Sequence, residues 1–172
     1  MLKDRFHLKP LPAGAGLRRV ALLVATLAHV GRFPFASGTA ATIVWGIPTF
    51  LMLGWISRPT YTVVVCVAFL LALWASHTSE KLLAEKDSPL IVVDEWVGYL
   101  VAVAFLPWSF ETALFGLILF RIFDIFKVYP ASWIDANLSG GLGVVLDDVL
   151  AGCYANLTLR LLAWLLPQWI QL

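Results

Sequence analysis

The sequence predicts an all-α fold, a polytopic membrane helix bundle of about five spans preceded by a short N-terminal helix. Composition is the first reason: 60% of the 172 residues are hydrophobic and 13% are charged, with a mean hydropathy of +0.86. Soluble domains carry about 25% charged residues. The second is that the apolar residues fall into runs close to the ~20 residues a bilayer crossing requires. The third is the punctuation between runs, short stretches rich in proline, glycine and charge.

In chain order, residues 1–16 are polar and rich in Pro and Gly, and read as a loose arm on the membrane surface. Leu17–Val30 has a helical pattern but only about 14 residues, so an interfacial or half-inserted helix is expected. The basic stretch Met1–Arg19 holds two prolines, and Val20–Val30 lacks a small-residue cleavage site before Gly31-Arg32; the segment does not read as a signal peptide. Gly31–Gly38 breaks the pattern. Five spans follow, at Thr39–Ile56, Thr60–Glu80, Leu90–Pro107, Phe110–Lys127 and Val144–Leu166. Ser57-Arg58-Pro59 and Pro107-Trp108-Ser109 are tight turns, whereas Lys81–Pro89 and Val128–Gly143 are longer polar connections. Residues 17–172 are expected to form one membrane-embedded domain. The eight tryptophans read as packing and interface anchors.

Cys66 and Cys153 lie in apolar stretches and read as small buried hydrophobes. Neither is followed six residues later by arginine, since Ala72 and Leu159 stand there, so the phosphate loop of Cys-dependent phosphatases is missing. No disulfide framework is implied.

Threading five spans in order puts the stretches 31–38, 81–89 and 128–143 on one face of the bilayer, and the tight turns and C-terminus on the other. The first face carries Arg32, Lys81, Lys86, Arg121 and Lys127, joined by Lys3, Arg5, Lys9, Arg18 and Arg19 if the first helix does not cross. The other has Arg58 and Arg160. By the positive-inside rule the loop-rich face is cytoplasmic. The unusual polar residues gather at that same end. Ser37, Gly38 and Thr39 open the first span, and His77 and Glu80 close the second. Asp94 and Glu95 start the third, Arg121, Asp124 and Lys127 end the fourth, and Asp147 and Asp148 lie near the start of the fifth.

A lone charge at the centre of a membrane helix costs ~2.5–3.5 kcal/mol on insertion scales. Four carboxylates and an arginine standing alone would cost on the order of 12–18 kcal/mol. The groups must therefore meet one another, a metal ion or water. Carboxylates on facing helices, with few histidines and no cysteine ligands, suit a hard cation such as Mg²⁺. Asp94, Glu95, Asp124, Asp147 and Asp148 are the candidate ligands, and the sequence leaves open which of them hold the ion. Arg121, Asp124 and Lys127 are spaced i, i+3, i+6 on one broad helix face, and the two cations can clamp a phosphate. Gly38 and Thr39, and Gly141 and Gly143 of the glycine-rich loop before the fifth span, offer backbone N–H groups at helix starts to phosphate oxygens.

Four blocks in order give the chain its family likeness: Asp87 followed by Ile91-Val92-Val93-Asp94-Glu95-Trp96-Val97-Gly98; Phe120-Arg121-Ile122-Phe123-Asp124-Ile125-Phe126-Lys127 with Pro130; Gly140-Gly141-Leu142-Gly143; and Asp147-Asp148-Val149-Leu150-Ala151-Gly152. Over roughly residues 30–166 the sequence resembles bacterial phosphatidylglycerophosphatase A. One block departs from the family pattern. Ser37-Gly38-Thr39-Ala40-Ala41-Thr42 keeps a Gly-Thr but lacks the preceding proline and the second glycine. The resemblance implies a Mg²⁺-dependent phosphatase of the bacterial inner membrane, with its site near the cytoplasmic face. It would release the terminal phosphate of phosphatidylglycerol phosphate in anionic phospholipid synthesis.

On this reading Arg121 and Lys127 hold the phosphate, and Glu95 or Asp148 orients the attacking water. The partners are the lipid substrate and the bilayer, with no nucleic acid, and the sequence does not set an oligomeric state. The rival class is a small transporter or channel, because intramembrane charges also line ion paths. The spans are apolar near Arg58 and Pro107, which argues against a polar path through the whole depth. The CDP-alcohol transferase pattern is missing, and His7, His29 and His77 do not supply the framework of His-dependent lipid phosphatases.

Overall fold

The computed structural model describes residues 16–165, so the arm expected over residues 1–16 lies, but for its last residue, outside the described residues. Seven α-helices and no β-strand occur among them. We number them α1 (Gly16–Ala25), α2 (Ser37–Leu53), α3 (Arg58–Leu83), α4 (Val93–Ala102), α5 (Phe110–Phe126), α6 (Ala131–Asn137) and α7 (Gly141–Leu165). The middle turn of α2, Thr42–Gly46, is wound as a π-helix.

Helix starts follow their local chemistry. Ser57 accepts a hydrogen bond from the Thr60 N–H (3.3 Å), with Pro59 in the first turn of α3. Ser109 accepts one from the Thr112 N–H (3.1 Å) and opens α5. Such caps contribute about 1 kcal/mol each.

Helix α4 lies at the centre and packs against α7, α3, α2 and α5. Two glycines allow its crossing with α7. A Cβ on Gly152 would overlap the Gly98 carbonyl oxygen, and a Cβ on Gly98 would stand 2.7 Å from the Asp148 carbonyl oxygen. Small residues let membrane helices approach this closely. On one side of α4, Tyr99, Leu100, Val103 and Phe120 form a core with Phe50. On the other, Val93, Val97 and Val145 pack against Ala68, Ala72 and Ala75 of α3 and Ala25 of α1.

The lengths differ from the expected spans. Helices α3 and α7 are each long and apolar enough to cross a membrane. Helix α5 has 17 residues and α2 is a shorter apolar helix. The segment expected as a full span at Leu90–Pro107 forms only the ten residues of α4, about 15 Å long. The reason lies in α7, where the Asn156 side-chain amide donates to the carbonyls of Val101 (3.3 Å), Ala102 (2.9 Å) and Ala104 (3.0 Å). Arg160 then donates to Asn156 Oδ1 (2.7 Å) and to the Ala104 carbonyl (3.1 Å). The end of α4 is satisfied inside the protein, so the helix need not continue.

Two further expectations change. Val128–Gly143, read as a loop, contains α6, which packs on α7. Cys66 and Cys153 are exposed rather than buried, because they face outward from α3 and α7.

Candidate active site

The start of α2, the end of α5, the starts of α4 and α7 and the loop before α4 meet at one end of the bundle, around a cleft of about 510 Å³. Asp94 and Glu95 occupy the first turn of α4, where the helix dipole favours acidic side chains. The strand of loop leading to them is pinned by the Val92 N–H, which donates to the Ala25 carbonyl (2.9 Å). Asp147 and Asp148 lie in the second turn of α7, and the Asp148 N–H donates to Asp147 Oδ1 (3.0 Å).

Asp94, Glu95 and Asp148 each bring a carboxylate oxygen within 4.8 Å of the others. Asp94 and Asp148 are buried and Glu95 is half-buried. Two unit negative charges at that separation repel by about 3.5 kcal/mol at an effective dielectric constant near 20. Asp94 Oδ1 and Glu95 Oε2 are buried without a hydrogen-bond partner. An all-oxygen, acceptor-only nest of this kind fits a hard divalent cation, which would satisfy the orphaned oxygens and remove the repulsion.

Arg121 stands beside the nest. Its Nη1 lies 2.6 Å from Asp124 Oδ2 and 3.9 Å from Glu95 Oε1. These are ionic contacts rather than directed hydrogen bonds, since both Nη1 and Nε are buried without an acceptor. Unsatisfied guanidinium donors next to a cation nest are suited to an anion with several oxygens. Gly38 closes the same corner; a Cβ there would overlap the Glu95 carboxylate and come 2.7 Å from Arg121 Nη1.

Lys127 ends α5 in the left-handed conformation (φ 42°), an uncommon one for a residue with a Cβ. Its Nζ is 2.7 Å from Asp147 Oδ2 and 3.0 Å from Asp135 Oδ1. Lys127 is thus held by two carboxylates at the rim, while Arg121 is the cation with free donors.

The cleft gathers Gly38, Asp94, Glu95, Arg121, Asp124, Lys127, Asp147 and Asp148. Thr39, Gly141 and Gly143 are not among its lining residues. Thr39 faces the neighbouring groove along α2. A Cβ on Gly141 would strike the Leu73 carbonyl and one on Gly143 the Leu138 carbonyl, so close packing accounts for both glycines. His77 is exposed, beside Gly140. Glu80 is buried and accepts from the Asp87 N–H (2.9 Å), shaping the loop that carries Asp87 into the cleft.

Asp135 is the participant that sequence reasoning missed. It lies on α6, its carbonyl accepts from Lys86 Nζ (2.9 Å), and no spacing in the sequence links it to Lys127. Ser37 also matters, because its hydroxyl donates to the Pro89 carbonyl (2.9 Å) and ties the start of α2 to the loop before α4.

The family profile for phosphatidylglycerophosphatase A matches residues 23–163, a stretch that contains every cleft residue. The chain belongs to the phosphatidylglycerophosphatase A family. It is 30% identical over 125 residues to the phosphatidylglycerophosphatase A of Escherichia coli, covering 71% of each chain. It is 32% identical over 123 residues to that of Haemophilus influenzae, covering 70% of this chain and 74% of that one. A Bacteroides thetaiotaomicron protein named "Putative phosphatidylinositol-3-phosphatase" is 34% identical over 155 residues, 84% of this chain and 94% of that protein. No solved structure matches. In this phosphatidylglycerophosphatase A family member, the four blocks quoted from the sequence meet as α4, the end of α5, and the start of α7 with its preceding turn.

Proposed function

We propose that the protein is a Mg²⁺-dependent lipid phosphatase of the bacterial inner membrane, hydrolysing the terminal phosphomonoester of phosphatidylglycerol phosphate. One observation carries the reading. A nest of three carboxylates with orphaned oxygens adjoins a guanidinium with orphaned donors, in one cleft at one end of an apolar bundle. A cation and a phosphate together satisfy both halves; neither alone does.

Asp94, Glu95 and Asp148 would hold the ion, with Asp147 at its edge. When bound, the ion supplies charge neutralisation as the P–O bond breaks. Arg121 holds equatorial phosphate oxygens, oriented by Asp124. Gly38 lines the same corner of the cleft and offers its backbone N–H to the phosphate. Lys127, fixed by Asp147 and Asp135, adds positive charge at the rim. A carboxylate of Glu95 or Asp148 orients the attacking water and takes its proton as the P–O bond to glycerol breaks, and that proton passes to the leaving glycerol oxygen.

We read the chain as one multi-pass membrane domain over residues 17–172. Helices α3 and α7 cross the bilayer, α2 and α5 tilt or end at the interface, and α4 is enclosed by the others. Apolar side chains exposed along α3 (Val63, Val67, Leu70) and α5 (Phe115, Ile118, Ile122) support this reading. So does the place of the cleft at the end of the bundle where α3 ends and α7 begins, which suits a lipid whose phosphates sit at the interface. The positive-inside rule argues for the cytoplasmic face. The packed core of Tyr99, Leu100, Val103 and Phe120 fills the bundle around the last turn of α4, beyond the cleft, which argues against a channel.

The test is phosphate release by the purified chain from phosphatidylglycerol phosphate, phosphatidic acid and phosphatidylinositol 3-phosphate, with Mg²⁺ and with EDTA. We expect the first lipid to be preferred and EDTA to abolish turnover. Activity indifferent to EDTA would overturn the metal assignment, and a preference for the inositol lipid would overturn the substrate.

A further inference from the structure

A second cavity adjoins the cleft. A groove of about 590 Å³ runs between the 30–36 loop and the outer face of α2, where Ala40, Ile43 and Val44 share one side of the helix. Its lining is apolar apart from His29, Thr39 and Arg32, and Arg32 makes no ion pair among the described residues. Phe33, Pro34 and Ala36 line both cavities, so the groove adjoins the cleft that holds the acidic nest.

The loop between them is unusual. Leu27, Ala28, His29 and Ala36 all adopt positive φ (44°, 53°, 76° and 48°), although none is glycine. Trp45 Nε1 donates to the Leu27 carbonyl (3.1 Å) and Ser37 to Pro89, which pins the loop at both ends. The strained loop presents Phe33 and Phe35 outward, 57% and 76% exposed. Strain of this kind persists where surrounding contacts enforce it, often at ligand clamps.

When a phospholipid places its phosphomonoester in the cleft, its hydrocarbon chains must leave along an apolar route that starts there. We propose that this groove seats an acyl chain of the substrate, with Arg32 beside the negative charge of the lipid headgroup. The proposal rests on the lipid-phosphatase reading of the cleft. It assigns a lipid-binding role to the 30–36 loop and to the outer face of α2, away from the Gly38 backbone that lines the cleft.

The test uses the full chain in detergent micelles with two substrates, dioleoyl phosphatidylglycerol phosphate and its dibutyroyl analogue, whose chains are too short to fill the groove. Ala40→Trp fills the groove. Phe35→Ser removes part of its wall at an exposed position, and serves if the first variant does not fold. We expect the ratio of kcat/KM for the long-chain lipid to that for the short-chain lipid to fall about tenfold, the effect of losing burial of roughly two methylenes. The change should appear mainly in KM. A ratio equal to the wild type, including equal losses on both lipids, overturns the groove while leaving the phosphatase reading intact. If the wild-type chain releases phosphate from neither lipid, the phosphatase reading falls and the groove with it.

Discussion

Replacing Gly98 by alanine tests whether the crossing of α4 and α7 positions the carboxylates. The new Cβ would lie 2.7 Å from the Asp148 carbonyl oxygen, and 2.7 and 2.9 Å from two Phe120 ring carbons. Ordinary contact begins at 3.4 Å, so α7 and the Phe120 ring must each withdraw by about 0.7 Å. Overpacking costs about 1–3 kcal/mol, while alanine is favoured over glycine in a helix by about 1 kcal/mol. The net loss of stability is therefore expected to be about 0–2 kcal/mol.

Activity has no such offset. The displaced backbone carries Asp148, whereas Asp94 and Glu95 sit one turn before Gly98 on α4, so the parting separates the members of the nest. Catalytic constellations tolerate about 0.5 Å of displacement, and 1 Å can cost on the order of 100-fold. We expect kcat/KM to fall roughly 10- to 100-fold. Phosphate release would be followed in detergent across a Mg²⁺ titration, with circular dichroism melting to confirm the fold. A folded Gly98→Ala protein with wild-type kcat/KM would refute the claim that this close approach sets the geometry of the nest.

Asp94→Asn and Asp148→Asn should each lower turnover by about 100-fold or more, because metal-ion charge stabilisation is worth several kcal/mol. Binding of Mn²⁺ as a spectroscopic probe should weaken in parallel, and unaltered binding in both variants would remove them from the ligand set. Arg121→Lys should lower kcat roughly tenfold or more, since a fork of donors becomes a point charge; full activity would show that Arg121 does not grip the phosphate. Asp135→Asn should have a smaller effect, because Lys127 keeps Asp147, and a loss as large as that of Asp148→Asn would contradict its placement at the rim. Asn156→Leu leaves the carbonyls of Val101 and Ala102 without their side-chain donor, while the Ala104 carbonyl keeps Arg160. Its melting should show a loss of about 1–3 kcal/mol, and an unchanged melting curve would discount the amide as the end of α4.

Much of the site was legible in sequence because charge in an apolar run is conspicuous and helical period is simple. Asp94, Glu95, Arg121, Asp124, Lys127, Asp147 and Asp148 stood out as expensive residues near span ends, and all seven line one cleft. Asp135 was invisible because it lies on α6 in a stretch read as loop, where an aspartate costs nothing. Gly141 and Gly143 read as phosphate cradles because a glycine-rich turn before a helix resembles one. Their neighbours Leu73 and Leu138 come from outside that pattern.

The sequence by itself determined the helical class, the end of the bundle at which the polar groups collect, and the family. Hydropathy, residue spacing and motif order are properties of the chain alone. Only the tertiary structure decided how those groups are divided. It brought Asp94, Glu95 and Asp148 into one nest and gave Asp147 to Lys127. It also ended α4 after ten residues by placing Asn156 against its last carbonyls. The physical reason is the same in each case. Which carboxylate meets a cation and which meets another carboxylate depends on distances of a few ångströms between helices. Those distances are set by glycine contacts such as Gly98 against Gly152, which no local pattern encodes.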